Sequence, residues 1–387
     1  MTGRIYLDHA ATTPLSDEAQ AAMLPWLKDG FGNPSSLHSE GRKAKDAIDR
    51  AREILSDKLG CLFAEVLFTS GGTEAANLAI IGAALMNQGG TRNRILLGAS
   101  EHHCVINTAD TLRALGYLVE FLPVDRDARV ELNALEEALD ETVLLVSCMH
   151  ANNELGTINP VRQIANMAHK VGALLHTDAV QTFCAPGQNW KAADLDADLI
   201  TVSAHKLYGP KGAGAIYIRA GIKLKPLLAG GGQEREMRGG TENVAAIAGF
   251  GEAVRQSPTN SVPHSNPRDV FVTDLLSHGA AQTVSSWDNV LTTHAHFRFP
   301  GIDAETMLIV LDRLGLSASS GAACSSGSIE PSHVLLAAGY TQEESRQGLR
   351  FSFGRSSTHE VATKAASIVV EALQQIRSAG SRLRTPN

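Results

Sequence analysis

Up to about Ala253 the chain alternates short apolar runs with helix-like stretches, and this rhythm narrows the possible folds more than any other feature. Apolar runs at residues 66–69, 94–97, 143–147, 173–176 and 198–202 have strand length, and each is separated from the next by a segment long enough for a crossover helix. One such segment, residues 44–59, puts Ala44, Ala47, Ile48, Ala51, Ile54, Leu55 and Leu59 three or four apart among charged residues, the pattern of an amphipathic helix. Strand-helix alternation of this kind predicts βαβ units and a mainly parallel sheet with helices on both faces. The rhythm changes after Ala253, where Pro258, Pro263 and Pro267 sit among polar turn formers. A boundary here divides the chain into a large domain, residues 15–255, and a smaller α+β domain made of residues 1–14 and 256–387. Strand candidates at 292–299 and 350–353 and helices at 304–314 and 361–376 fill the second part. Because proline inside a helix costs about 3 kcal/mol or more, a helix in the Pro-rich stretch has to begin later or give way to a loop.

With 387 residues, 43% apolar and 19% charged, the chain has material for two buried cores. A net charge of −7 argues against broad binding to nucleic acid or to anionic membrane. The opening residues carry Asp8 and His9 where a signal peptide needs an apolar core, so a cytoplasmic location is expected, and the apolar stretch from Leu78 to Met86 is far too short to span a bilayer. Five scattered cysteines with no CxxC pair suggest neither a disulfide framework nor a zinc site.

Three local patterns carry chemistry. Ser203, His205 and Lys206 follow an apolar run and precede Gly209 and Gly212. A lysine mounted at a strand end beside small residues can form a Schiff base with a flat carbonyl cofactor; the alternative is an exposed turn lysine. Gly72, Thr73 and Glu74 open an apolar helix after a strand, which is either an anion site for a cofactor phosphate or a plain helix cap. Asp178, at the end of another apolar run with Gln181 close behind, either holds a proton on a pyridine nitrogen or caps a helix.

Together these segments resemble the fold-type I pyridoxal-phosphate enzymes of the class V aminotransferase superfamily, and within it the cysteine desulfurases of the NifS/IscS type. The likeness covers nearly the whole chain. It is carried by Tyr6, Asp8 and Pro14 in the opening segment, by Gly32 to His38, Glu101-His102, Asn152-Asn153-Glu154 with Gly156, Ser203 to Gly212, Arg238 to Thr241, and Ser319 to Cys324. The resemblance implies an α/β fold with a seven-stranded type of mainly parallel sheet between helices, plus the smaller α+β domain. It implies that Lys206 binds pyridoxal 5'-phosphate covalently, Asp178 pairs with the ring nitrogen, Gln181 bonds the ring hydroxyl and His102 stacks on the ring, with His103 as a rival by position. Gly72, Thr73, Ser203 and His205 would hold the phosphate, joined by Thr241 from a second subunit, which makes the protein a homodimer. Arg350, with Asn153 assisting, would clamp the substrate carboxylate, a role for which a guanidinium fork is suited.

Cys324 sits among Ser, Gly and Ala with no apolar periodicity, the context of a loop thiol that can be reactive. By the resemblance it accepts sulfur from L-cysteine as a persulfide, leaving alanine, and passes the sulfur to an acceptor protein such as an iron-sulfur scaffold or a tRNA-thiolation enzyme. No resident metal is implied, although Cys324 could transiently ligate a nascent cluster. The run from Cys324 to His333 resembles the loop type linked to general cluster assembly. An aminotransferase of the same superfamily would need Lys206 and Asp178 but not Cys324, and a non-catalytic scaffold would need none of them. The other cysteines, Cys61, Cys104, Cys148 and Cys184, are expected to be structural.

Overall fold

The structure, a computed structural model, describes residues 3–257, 266–279, 281–321 and 330–384. Its strands, in chain order, are β1 (Ile5–Tyr6), β2 (Val66–Thr69), β3 (Arg94–Gly98), β4 (Leu118–Leu122), β5 (Val143–Ser147), β6 (Leu174–Asp178), β7 (Leu199–Ser203), β8 (Gly214–Ile218), β9 (Gln282–Thr283), β10 (His294–Arg298), β11 (Leu316–Ser317) and β12 (Gly348–Ser352). Seven of them form one sheet in the order β2-β8-β7-β6-β5-β3-β4, in which β8 runs antiparallel to both its neighbours and the remaining pairs are parallel.

The central strands β5 and β7 are buried at every position, as expected of near-continuous apolar runs covered on both faces. All five apolar runs seen in the sequence are strands, with ends shifted by up to two residues. Strands β4 and β8 are not among those runs although both are largely apolar: β4 is an edge strand whose Leu118, Glu120 and Phe121 face solvent, and β8 opens on Gly214 and is buried from there to Tyr217. The helix expected from residue 44 starts earlier, at Ser39, where the His38 ring accepts the Gly41 N–H, and ends on Gly60 in the left-handed conformation.

Two hydrophobic clusters flank this sheet, and a third is built around β10 and β12. In the third, the rings of Phe271, Phe297 and Phe351 meet with centroids 4.8 to 6.5 Å apart. Ile5 and Leu7 of the N-terminal segment pack into that cluster, and β1 pairs with β11. The traffic runs the other way too, because Val334, Leu335 and Ala338 pack into a cluster of the large sheet. After helix Val244–Arg255 the next helix, Pro267–Ser277, begins with Pro267 in its first turn, where the missing N–H has no cost. Pro258 and Pro263 lie outside the described residues. Among the described residues no helix is long and apolar enough to cross a membrane.

Candidate active site

The C-terminal ends of β6 and β7 and the first turn of helix Gly72–Met86 open onto a cavity of about 380 Å³. Carboxyl ends of parallel strands are where α/β sheets place ligands. Its wall brings together Gly72, Thr73, His102, Asn153, Asp178, Gln181, Ser203, His205, Lys206 and Arg350 from across the sequence.

Lys206 ends the short turn that follows β7, and its Nζ donates to the carbonyls of Ala10 and Ala11 at 2.5 and 2.8 Å. Burial, helped by the guanidinium of Arg350, lowers its pKa to about 8 against the pull of Asp178 and Asp8. A larger share of the amine is therefore neutral near pH 7 than for an exposed lysine. Asp178, the last residue of β6, accepts the Val180 N–H at 2.9 Å. Burial raises it to about 6, while that hydrogen bond and Lys206 work the other way, so it is a carboxyl whose charge is best supported by a proton-bearing partner.

Below the lysine lies a cradle for an anion. Ser203 Oγ is buried without a hydrogen-bond partner among the described residues, at the start of a fifteen-residue helix whose first N–H groups are free. Gly214 pairs with both Thr69 and Ser203, and a Cβ there would sit 2.5 Å from the backbone of Gly71, so glycine lets the strand press against the loop that shapes the cradle. His205 hydrogen-bonds Thr12 Oγ1 at 3.1 Å, and burial with the nearby lysines lowers it to about 4, leaving it neutral at pH 7.

His102 and His103, rivals by position, part ways in space. His102 opens onto the cavity, where surrounding protein and Lys206 lower its pKa to about 4, and its Nδ1 accepts the Cys104 N–H. His103 turns outward to pack against His333, with ring centroids 4.3 Å apart and planes tilted by 44°. Gln181 donates to the Ala10 carbonyl at 3.0 Å.

Arg350 projects from β12, outside the large sheet, and is 3% exposed. One nitrogen donates to the Asn153 carbonyl and another to Asp8 Oδ1, each at 2.7 Å, while its Nε and the side-chain oxygen of Asn153 are buried without partners among the described residues. A small carboxylate would accept from the Arg350 N–H, whereas the Asn153 oxygen needs a donor. Sequence reasoning missed this ion pair: Asp8 belongs to the quoted opening segment, but nothing local says that it meets a residue 342 positions away. Cys104, expected to be structural, lines the cavity as well, and burial holds its thiol well above the usual pKa, which disfavours the reactive thiolate.

Thr241 does not reach this cavity. It lines a neighbouring one with Ser70, Gly212 and Arg238, and the 2.9 Å ion pair between Arg238 and Glu74 ties its segment to the first turn of helix Gly72–Met86. Cys324 lies outside the described residues; upstream of it, Ser319 and Gly321 line the cavity, and Ser319 pairs with Arg350.

A lysine of lowered pKa, a buried carboxyl and an anion cradle around one cavity define a site for a flat, phosphate-bearing carbonyl compound. Residues 5–363 match the Aminotransferase class-V family, and the chain belongs to it. It is 40% identical to the cysteine desulfurase IscS of Dictyoglomus turgidum over 385 residues, 98% of this chain and 96% of that one. Among solved structures it is similar to a NifS-like protein, with 32% identity, a TM-score of 0.87, and coverage of 96% of this chain and 100% of that one. It is also similar to SspA in complex with cysteine, with 35% identity, a TM-score of 0.81, and coverage of 90% and 98%. The family's cofactor is pyridoxal 5'-phosphate, and the orphaned Ser203 hydroxyl, the free helix N-terminus and the buried Asp178 fit its phosphate and its ring nitrogen.

Proposed function

We propose that this protein is a cysteine desulfurase that takes sulfur from L-cysteine onto Cys324 and releases L-alanine. The observation that carries the reading is the convergence on one cavity of Lys206, Asp178, the anion cradle and the half-satisfied guanidinium of Arg350. Pyridoxal 5'-phosphate, when bound, supplies an electron-withdrawing ring that makes the substrate Cα proton acidic and weakens the bond from Cβ to sulfur.

In this reading Gly72, Thr73, Ser203 and His205 hold the phosphate, Asp178 keeps a proton on the ring nitrogen, Gln181 bonds the ring hydroxyl and His102 stacks on the ring. Arg350, with Asn153 beside it, binds the substrate carboxylate as a bidentate fork. Lys206, with a pKa near 8, is suited to remove the Cα proton and return it. His102, neutral at pH 7, can accept and pass on a proton. The Cys324 thiolate attacks the substrate sulfur: the new S–S bond gives a persulfide, the Cβ–S bond breaks, and its electron pair is protonated at Cβ to give alanine.

Residues 15–255 act as the cofactor domain, and residues 1–14 with 256–387 as the smaller domain that carries Arg350 and Cys324. A second copy of the chain supplies Thr241 to the phosphate. The exposed apolar side chains of Leu24, Leu27, Phe31 and Leu37 support such a partner surface. The sulfur then passes in the cytoplasm to an acceptor protein for iron-sulfur cluster assembly or thiolation.

The test is to give the cofactor-loaded protein L-cysteine and a reductant and to measure alanine and sulfide together. Equal amounts from the wild type, and loss of both in Cys324→Ala, are expected. Alanine formation that survives in the variant would rule out Cys324 as the acceptor.

A further inference from the structure

The turn from Asn152 to Glu154 does more than present Asn153. Glu154 is 1% exposed, its backbone N–H is held by Asn152 Oδ1 at 2.8 Å, and its carbonyl lies 3.3 Å from His296 Nδ1 on β10, directly across from Arg350. Its carboxyl reaches both stems of the segment that contains Cys324. On the downstream stem the Ser332 hydroxyl donates to Glu154 Oε2 at 2.6 Å. On the upstream stem Gly321, at φ +81°, packs so closely that a Cβ would come within 2.6 Å of the same carboxyl group. The neighbouring Asn153 carbonyl holds Arg350, whose backbone in turn pairs with Ser319.

We propose that Glu154 is a positioning residue for the segment that contains Cys324: it ties Gly321 and Ser332, on either side of that segment, to the turn that also holds the guanidinium of Arg350. The proposal rests on the role assigned to Cys324 above. Glu154 does not line the cavity and acts through Gly321 and Ser332. Burial raises its carboxyl to about 7, against the Ser332 hydrogen bond and the positive fields of Arg350 and His103. A neutral side chain of the same shape should therefore serve nearly as well.

The test uses cofactor-loaded protein and follows alkylation of Cys324 by iodoacetamide, read by mass spectrometry of its peptide, alongside alanine formation. Glu154→Ala should speed alkylation about tenfold and lower kcat by a similar factor, as loss of one buried hydrogen bond allows, with KM for cysteine and the yellow cofactor absorbance unchanged. Glu154→Gln, whose amide oxygen can accept the same hydroxyl, should stay within about twofold of wild type. If Glu154→Ala does not fold, Ser332→Ala removes the same bond from the other end and should shift alkylation in the same direction. Alkylation of a folded Glu154→Ala or Ser332→Ala protein at the wild-type rate would overturn the proposal, as would Glu154→Gln being as impaired as Glu154→Ala. Failure of the underlying reading shows separately, as alanine formation that survives Cys324→Ala.

Discussion

The two sides of the cavity are built on different plans. The cofactor side comes from one sheet: Asp178 and Ser203 end neighbouring strands, Lys206 follows three residues later, and the anion cradle is the turn after β2. The substrate side is assembled where the large sheet meets the third hydrophobic cluster, with Asp8 from the N-terminal segment, Asn153 from a turn after β5 and Arg350 from β12. Strand ends in a packed sheet are rigid mounts. A junction between cores depends on how two bodies dock, so its geometry can be perturbed without disturbing the first side.

Three results would break or sharpen this contrast. The largest effect is expected for Lys206→Ala, which should lower alanine formation on the order of a thousandfold and abolish the yellow absorbance, because the proposed general base and covalent anchor would be lost together. Retention of either signal would remove Lys206 from its role. Next is Arg350→Lys, which loses the bidentate fork and should raise KM for cysteine about tenfold or more while the cofactor absorbance stays intact. If the absorbance fell as well, the two sides would not be separable.

The smallest effect is on stability against pH in the cofactor-free protein. Burial lowers His176 and His294 to about 3 and His296 to about 4. Since these folded-state values lie below the ordinary histidine value of about 6.5, the unfolded chain takes up protons first, and stability present above that pH is lost as pH falls toward 4. Asp178 and Glu154, raised to about 6 and about 7, act in the opposite sense and blunt the slope. The melting temperature should fall by a few degrees between pH 6.5 and 5, as about 1 kcal/mol implies. A flat or rising melting temperature would mean that the raised carboxyls dominate.

The cofactor side was legible in the sequence because each of its parts is local: a strand read from its apolar run, followed within a few residues by a lysine, a carboxylate or a small-residue helix start. Edge strand β4, with its exposed Leu118, Glu120 and Phe121, and β8, apolar from Ala215 to Ile218, were passed over although each is an apolar run, and Gly214 of β8 matters through what it lets approach. The choice between His102 and His103 could not be read from adjacency: in space His102 Nδ1 accepts the Cys104 N–H and its ring lines the cavity, while His103 packs against His333, far along the chain.

By itself the sequence determined the alternating α/β architecture, the family and the identity of the chemical groups, since apolar periodicity and short motifs act over a few residues. The tertiary structure alone decided that Asp8 holds Arg350, that Cys104 lines the cavity, that Thr241 stays out of it and that Glu154 gathers both stems of the cysteine segment. Those are contacts between residues tens to hundreds of positions apart, and no local preference encodes them; they exist only once hydrophobic burial has brought the separate cores together.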